Sequence, residues 1–246
     1  MPKTIILIPS RMSASRLPGK PLLRINSLPI ILHVVNKAKK TKIGRVVVCT
    51  EDDEILNEVK KNGGEAVLTS NKHKSGSDRI FEALKKLEAD DVDYVLNLQG
   101  DEPNIDEDDI INLNTFMINN DSDIGTLATR IKDASIFSNE NVVKVALKEK
   151  LSGKNFPYAL NFTRSNLSNN YENIYHHIGI YIYKVKILEK FVSFEQTKNE
   201  VKNRLEQLRA LDNNIKINVG LAKSSPIGID TMEDYLALKK IMEYKS

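Results

Sequence analysis

Ile5, Ile6, Leu7 and Ile8 form a continuous branched apolar run that passes through Pro9 and Ser10 into a loop bearing Arg11, Ser13, Ser15, Arg16 and Lys20. An unbroken run of this kind, bounded by proline, is the pattern of a strand covered on both faces in a parallel sheet. In open α/β sheets, ligands sit beyond the C-terminal ends of the strands. Three cations and two hydroxyls therefore crowd the position where a ligand is expected, on a backbone constrained by Pro18, Gly19 and Pro21. Such a loop suits an anion. It is not a P-loop, because Pro21 follows Gly19-Lys20 where Ser or Thr is required, nor is it the dinucleotide G-x-G-x-x-G. On charge alone, a solvated basic surface loop is the competing reading.

The rest of the chain repeats the strand-then-helix order. Ile30, Ile31, Val34, Val35 and Ala38 recur at helical spacing after Pro29, which is expected at the first helical position, and His33 on this helix reads as structural. Arg45–Thr50 is a second strand, and Asp52, Asp53 and Glu54 then charge the start of a helix that Asn62-Gly63-Gly64 stops. Ala66–Thr69 and Asp93–Leu98 read as further strands, with a helix carrying Ile80, Phe81, Leu84 and Leu87 between them. The acidic run Asp106–Asp109 fits a helix N-terminus better than a metal site. Strands are expected at Ile124–Thr129, Val142–Leu147 and Ile215–Val219, and helices at Val201–Leu211 and Thr231–Tyr244. Alternation of this kind predicts an α/β doubly wound sheet.

At 246 residues, 41% of them hydrophobic, the chain can bury a substantial core. Thirty-six basic residues are interspersed with 33 acidic ones for a net charge of +3, which marks neither a nucleic-acid nor a membrane surface. The lone Cys49, inside a strand-like run, cannot form an internal disulfide and fits a reducing compartment. The first apolar run is too short for a signal-peptide core, and no run approaches membrane-spanning length. A soluble cytoplasmic protein is the expectation.

Two carboxylates stand out. Asp101, in Gln99-Gly-Asp-Glu-Pro103, follows a buried strand, where an unpaired aspartate costs stability unless it meets a cation; a turn aspartate capping the next helix is the alternative. Asp230, in Gly228-Ile-Asp-Thr-Met-Glu-Asp234, is left over from a capping box that needs only Thr231 and Asp234. In His73-Lys-Ser-Gly-Ser-Asp-Arg79, the Ser and Asp residues can serve simply as helix caps. His177 and Glu206 also have ordinary readings, as a satisfied core histidine and a solvated helix face.

The string R-x-x-x-S-R-L-P-G-K-P-L resembles the signature of the cytidylyltransferases that activate 3-deoxy-manno-octulosonate (KDO), and more loosely that of the CMP-sialate synthetases. The resemblance runs over nearly the whole chain. It implies a three-layer nucleotide-diphosphosugar-transferase fold (GT-A or Rossmann-like) with a mostly parallel mixed sheet, in a single domain whose residues 154–212 complete the acceptor site and a dimer contact. It implies CMP transfer from CTP to the sugar acid for lipopolysaccharide, by a cytoplasmic homodimer. Carried over residue by residue, it assigns Arg11, Ser15, Arg16, Lys20, Ser75, Arg79 and Gln99 to the nucleotide. Asp101 and Asp230 become magnesium ligands, and Arg11 and Lys20 share the catalytic role with them. Gln99, Arg164, His177, Tyr181, Glu206 and Gln207 fall to the acceptor. Ser77 stands where the family usually has Thr. On the acceptor side, Asn161 replaces Tyr, Ile182 replaces Gly, Lys202-Asn203-Arg204 is atypical, and Ser165–His176 is short and lacks an Ile-Pro element. A related sugar acid, such as an amino-KDO or a nonulosonate, and a non-catalytic nucleotide binder are the other readings. Retention of both Asp101 and Asp230 argues against the last.

Overall fold

A computed structural model of the protein describes residues 2–13, 16–73, 75–165 and 172–244. The chain forms two compact units, residues 1–110 with 226–246 and residues 111–225. The expected acceptor segment 154–212 falls within the second.

The first unit opens with β1 (Thr4–Ser10), a turn of 3-10 helix at Lys20–Leu22, and a two-rung antiparallel ladder of β2 (Arg24–Ile25) and β3 (Leu28–Pro29). Then follow α1 (Ile30–Thr41), β4 (Gly44–Thr50), α2 (Asp53–Lys61), β5 (Glu65–Leu68), α3 (Gly76–Lys86) and β6 (Tyr94–Asn97). Its strands pair in parallel in the order β6-β1-β4-β5, with Ile6 opposite both Val46 and Leu96. Helices cover such a sheet, so Ile5 to Ile8 are buried without alternation, as their unbroken sequence foretells. Pro29 lies one residue outside α1 instead of starting it, because it pairs with Arg24 and so keeps an extended backbone. His33 Nε2 meets the Ile25 carbonyl at 2.9 Å, the structural role expected of it.

α4 (Glu107–Asn120) carries the chain onward to β7 (Ile124–Thr129), α5 (Ser135–Ser138), β8 (Lys144–Leu147), β9 (Ala159–Thr163) and β10 (Ile174–Lys184). Next come α6 (Val185–Ser193), α7 (Lys198–Asn203), α8 (Leu208–Asp212) and β11 (Ile217–Leu221). In the second unit β11 runs parallel to β7, while β7 with β10, β10 with β8, and β8 with β9 are antiparallel. Parallel and antiparallel pairing thus combine in a mixed α/β fold. Glu107 at the start of α4 pairs with Lys37 and Lys40, consistent with the helix-terminus reading of the acidic run.

The helix expected over Val201–Leu211 is instead two short ones. A Thr197–Glu200 capping box starts α7 ahead of the expected point, and Arg204 ends it in the left-handed region at φ 53°. The reason is a buried ion pair: Arg209 Nε and Nη2 donate to Glu200 at 2.9 and 2.6 Å, with both side chains almost wholly enclosed. Nine residues of continuous helix span about 13.5 Å, too far for this contact, so the break is what lets the pair form. Arg209 also stacks over Phe191, 4.9 Å from its centroid.

The chain then returns to the first unit, where α9 (Met232–Glu243) follows its own Thr231–Asp234 capping box. Ile229 and Leu238 pack there with Leu17, Ile25 and Ile30. Leu17 belongs to the basic loop, and its burial, worth about 1.5 to 3 kcal/mol, pins the loop between Arg16 and Lys20.

Glu200→Ala removes one partner of a buried pair and leaves Arg209 enclosed. It should destabilise the protein by about 3 to 5 kcal/mol, read from denaturant unfolding. A loss no larger than that of an exposed pair, below about 1 kcal/mol, would contradict this account of the helix break.

Candidate active site

In the first unit a cleft of about 350 Å³ opens at the C-terminal ends of β1 and β6, lined among others by Ser10, Arg11, Arg16, Lys20, Ser75, Arg79, Gln99, Asp101 and Asp230. The basic loop closes on itself, Gly19 N donating to Met12 O at 2.9 Å, and Gly19 takes φ 75°, a conformation that side chains disfavour. Asp52 accepts from Met12 N at 2.8 Å, so this residue holds the loop as well as preceding α2. Ser15 lies outside the described residues.

Burial of Leu17 on one side leaves Arg16 and Lys20 to face carboxylates. Lys20 Nζ donates to Asp101 Oδ2 at 2.5 Å, to the Ile229 carbonyl at 2.8 Å and to Asp230 Oδ1 at 3.4 Å. Arg16 Nη2 pairs with Asp230 Oδ2 at 2.8 Å. Asp230 reaches this place because Ile229 N donates to Asp101 O at 3.0 Å and Ile227 N to Asn104 Oδ1 at 3.0 Å. Its carboxylate is not the cap of α9: Thr231 and Asp234 form that capping box, as the sequence reading requires. Gly100, before Asp101, is tightly packed: a Cβ there would sit 3.0 Å from Pro9 O and 3.2 Å from Ile31, so its neighbours would have to give way slightly.

A third carboxyl stands beside the two aspartates. Glu102 Oε2 is buried without a hydrogen-bond partner, and burial, then the charges of Asp101 and Asp230, push its carboxyl up to about 8 against the opposing effect of Lys20. The adjacency of Glu102 to Asp101 was its only sequence signal, and it points equally well to solvent. Lys20 thus serves both aspartates, Arg16 adds a second cation at Asp230, and Glu102 stays largely protonated near pH 7.

Ser75 lines the cleft and also caps α3, its Oγ accepting from Asp78 N at 3.2 Å. Arg79 is buried in the cleft wall, its guanidinium bonded to Glu51, to Thr69 Oγ1 at 2.6 Å and to Ser70 O at 3.3 Å. Glu51 also accepts from Ser13 Oγ at 3.3 Å, so the basic loop and the 70–79 segment share one carboxylate. Glu51 and Asp52 directly follow β4, where the α/β rule places ligand-facing groups; read as helix-start charge, Asp52 hides its second task. Ser10 Oγ and Asn97 Oδ1, at the ends of β1 and β6, are buried and unpartnered.

The second unit gathers the other predicted residues. His177 and Tyr181 lie on β10 across a bulge, their rings 5.5 Å apart, with Phe162 edge-on to His177 at 5.1 Å. Thr126 Oγ1 fills the bulge, 3.0 Å from His177 Nε2 and 2.7 Å from the Ile180 carbonyl. Burial, then the neighbouring His176, lowers His177 to about 3, so it is neutral near pH 7. Glu206 lies close enough to Tyr181 and Tyr183 to raise both phenols, after the larger effect of burial. Gln207 precedes α8. Arg164, just past β9, donates from Nη1 to the carbonyls of Glu140 and Asn141, each at 3.2 Å. Residues 166–171 of the shortened segment after it lie outside the described residues. Of the atypical positions, Ile182 is buried and Asn161 Oδ1 accepts from Phe162 N.

Three comparisons converge on one family. A model of the cytidylyltransferase family matches residues 5–217. The 3-deoxy-manno-octulosonate cytidylyltransferase of Bartonella tribocorum is 43% identical over 239 residues, covering 97% of this chain and 98% of its own. That of Afipia carboxidovorans is 45% identical over 240 residues, covering 97% and 96%. Among solved structures, a CMP:2-keto-3-deoxy-manno-octonic acid synthetase complexed with CTP superposes with a TM-score of 0.90 at 33% identity, over 99% of this chain and 100% of that one. A UDP-glucose pyrophosphorylase, at 14% identity and a TM-score of 0.73, shares the fold. With the family model and these relatives spanning nearly its whole length, the chain belongs to the 3-deoxy-manno-octulosonate cytidylyltransferase family.

Proposed function

We propose that the protein transfers CMP from CTP to the anomeric 2-hydroxyl of KDO, releasing pyrophosphate. The observation that carries this reading, within the family, is the Lys20 ammonium shared by Asp101 and Asp230 in a cleft that Arg11 and Arg16 also line. The acceptor oxygen bonds to the α-phosphorus as the bond to the bridging oxygen of pyrophosphate breaks, and the hydroxyl proton passes to solvent. Negative charge moves onto the leaving phosphates, and Arg11, Arg16 and Lys20 are the side chains that neutralise it. No covalent enzyme intermediate is needed; positioning and electrostatics carry the step.

Asp101 and Asp230 suit a hard divalent cation. Both offer oxygen donors to one cleft and share the Lys20 ammonium. Magnesium is characteristically held by one or two carboxylates together with substrate phosphates, and it supplies charge neutralisation at the triphosphate. On the acceptor side, Arg164 is assigned the sugar carboxylate, with His177, Tyr181, Glu206, Gln207 and Gln99 assigned the remaining polar groups. A neutral His177 serves a hydroxyl-rich ligand as donor or acceptor. A cytoplasmic homodimer that feeds lipopolysaccharide assembly is the setting proposed with this activity, on family membership. No helix among the described residues is long and apolar enough to cross a membrane.

Pyrophosphate release from CTP across a panel of sugar acids tests the reading, and KDO should be the best acceptor. Comparable turnover with UTP or ATP, or a clear preference for an amino-KDO or a nonulosonate, would contradict it. Asp230→Asn should lower turnover by roughly a hundredfold, with partial recovery at high magnesium. Its stability should change by less than about 1 kcal/mol, because the ion pairs it loses are half exposed. Near-normal turnover of this variant at low magnesium would remove Asp230 from the metal site. Arg164→Ala should weaken acceptor binding by about 1.5 to 3 kcal/mol, seen as a raised KM for KDO with that for CTP little changed. Equal damage to both constants would move Arg164 out of the acceptor site.

A further inference from the structure

Lys144, the first residue of β8, is completely buried. An enclosed ammonium is costly unless it is well coordinated. Here Nζ donates to three main-chain carbonyls, those of Asn139 and Val142, each at 3.0 Å, and that of Arg164. Lys144 is also the ladder partner of Thr163, the residue before Arg164. Burial, then the Arg164 charge, lowers its pKa, and Glu140 opposes them.

The turn that supplies two of those carbonyls supplies two more to Arg164. Asn139 and Val142 face Lys144 Nζ, while Glu140 and Asn141, between them, accept from Arg164 Nη1 at 3.2 Å each. One four-residue turn is therefore held by both cations, and Lys144 also holds the main chain from which the Arg164 side chain springs. Fixing Nη1 in this way reserves Nε and Nη2 for a planar bidentate partner. A lysine at this place is otherwise hard to explain, because an apolar residue would fill a buried strand position without the desolvation of a charge.

We infer that Lys144 is a positioning residue: it ties the 139–142 turn to the Arg164 main chain and so sets the guanidinium for an anionic acceptor group. That the group is the sugar carboxylate rests on the assignment of Arg164 above.

The test uses the full chain with Lys144→Met and, should that variant not fold, Lys144→Gln, which keeps two N–H donors. Site-resolved phenylglyoxal modification reports on Arg164 directly, with Arg130 as internal control. In a folded variant, Arg164 should be modified at least about fivefold faster than in the wild type, as expected for a locally loosened segment, with Arg130 unchanged. The KM for KDO should rise about tenfold while the KM for CTP and kcat stay within about twofold, the pattern of one weakened charge-assisted contact. Added to Arg164→Ala, the Lys144 substitution should raise the acceptor KM no further, because both act through one group. An unchanged Arg164 modification rate overturns the inference whatever the kinetics. So does an acceptor KM that rises in Arg164→Ala but not in the Lys144 variants, or a fall in kcat with both KM values intact. Faster modification with an acceptor KM indifferent to both Lys144 and Arg164 substitutions upholds the positioning and contradicts the acceptor assignment of Arg164 instead.

Discussion

Lys20 stands where the demands of the first unit meet. Its ammonium lies against Asp101 on one side and against Asp230 and the adjacent Ile229 carbonyl on the other, brought there by two distant parts of the chain. Asp101 follows the strand β6, Asp230 precedes the helix α9, and Lys20 ends a loop pinned by the burial of Leu17. The charges of Asp101 and Asp230 act on each other and on the enclosed Glu102 carboxyl, which they help to raise, while Lys20 and Arg16 offset them. The arrangement is stable only while positive charge sits between them. The geometry that folds the N-terminal loop onto the C-terminal helix is thus the same geometry that lines the cleft with these charges.

How far this was legible in the sequence depended on whether the signal was local. The strand β1 could be read because four branched residues in a row admit little else. Asp230 could be separated from helix capping because Thr231 and Asp234 already complete that motif, and the structure gives them that role. Glu102 could not be singled out, since Asp230, whose charge helps to raise it, arrives from far along the chain. Arg79 shows a different limit. The sequence placed it in the binding segment, but its Glu51 partner lies just past β4, 28 residues earlier, so its part as a brace of the cleft wall appears only in three dimensions. The break at Arg204 was hidden for the same reason, because the Glu200–Arg209 pair that rewards it is a tertiary contact.

The second unit manages buried charge differently. Glu200 and Arg209 satisfy each other, whereas Lys144 is met by carbonyl dipoles. Both devices lie beside residues assigned to the acceptor: Glu206 shares Arg209 with Glu200, and Arg164 shares the 139–142 turn with Lys144. Between them runs a row of rings from Phe162 through His177, Tyr181 and Tyr183 to Phe191. Rigid aromatic packing and fixed charges suit a surface that must orient a flexible, heavily hydroxylated ligand, because groups held in place lose little entropy when it binds.

The central claim is that Lys20 and a divalent cation draw on the same pair of carboxylates. Calorimetric titration of magnesium into the nucleotide-free protein and into Lys20→Met tests it most directly. Without the ammonium, Asp101 loses its cation and Asp230 keeps only the exposed Arg16, so the variant should bind free magnesium about tenfold more tightly, a gain of roughly 1.4 kcal/mol, while binding CTP more weakly. Magnesium affinity that is unchanged or weaker in a folded Lys20→Met protein would contradict the account, and would mean that the two aspartates do not form a shared cation site.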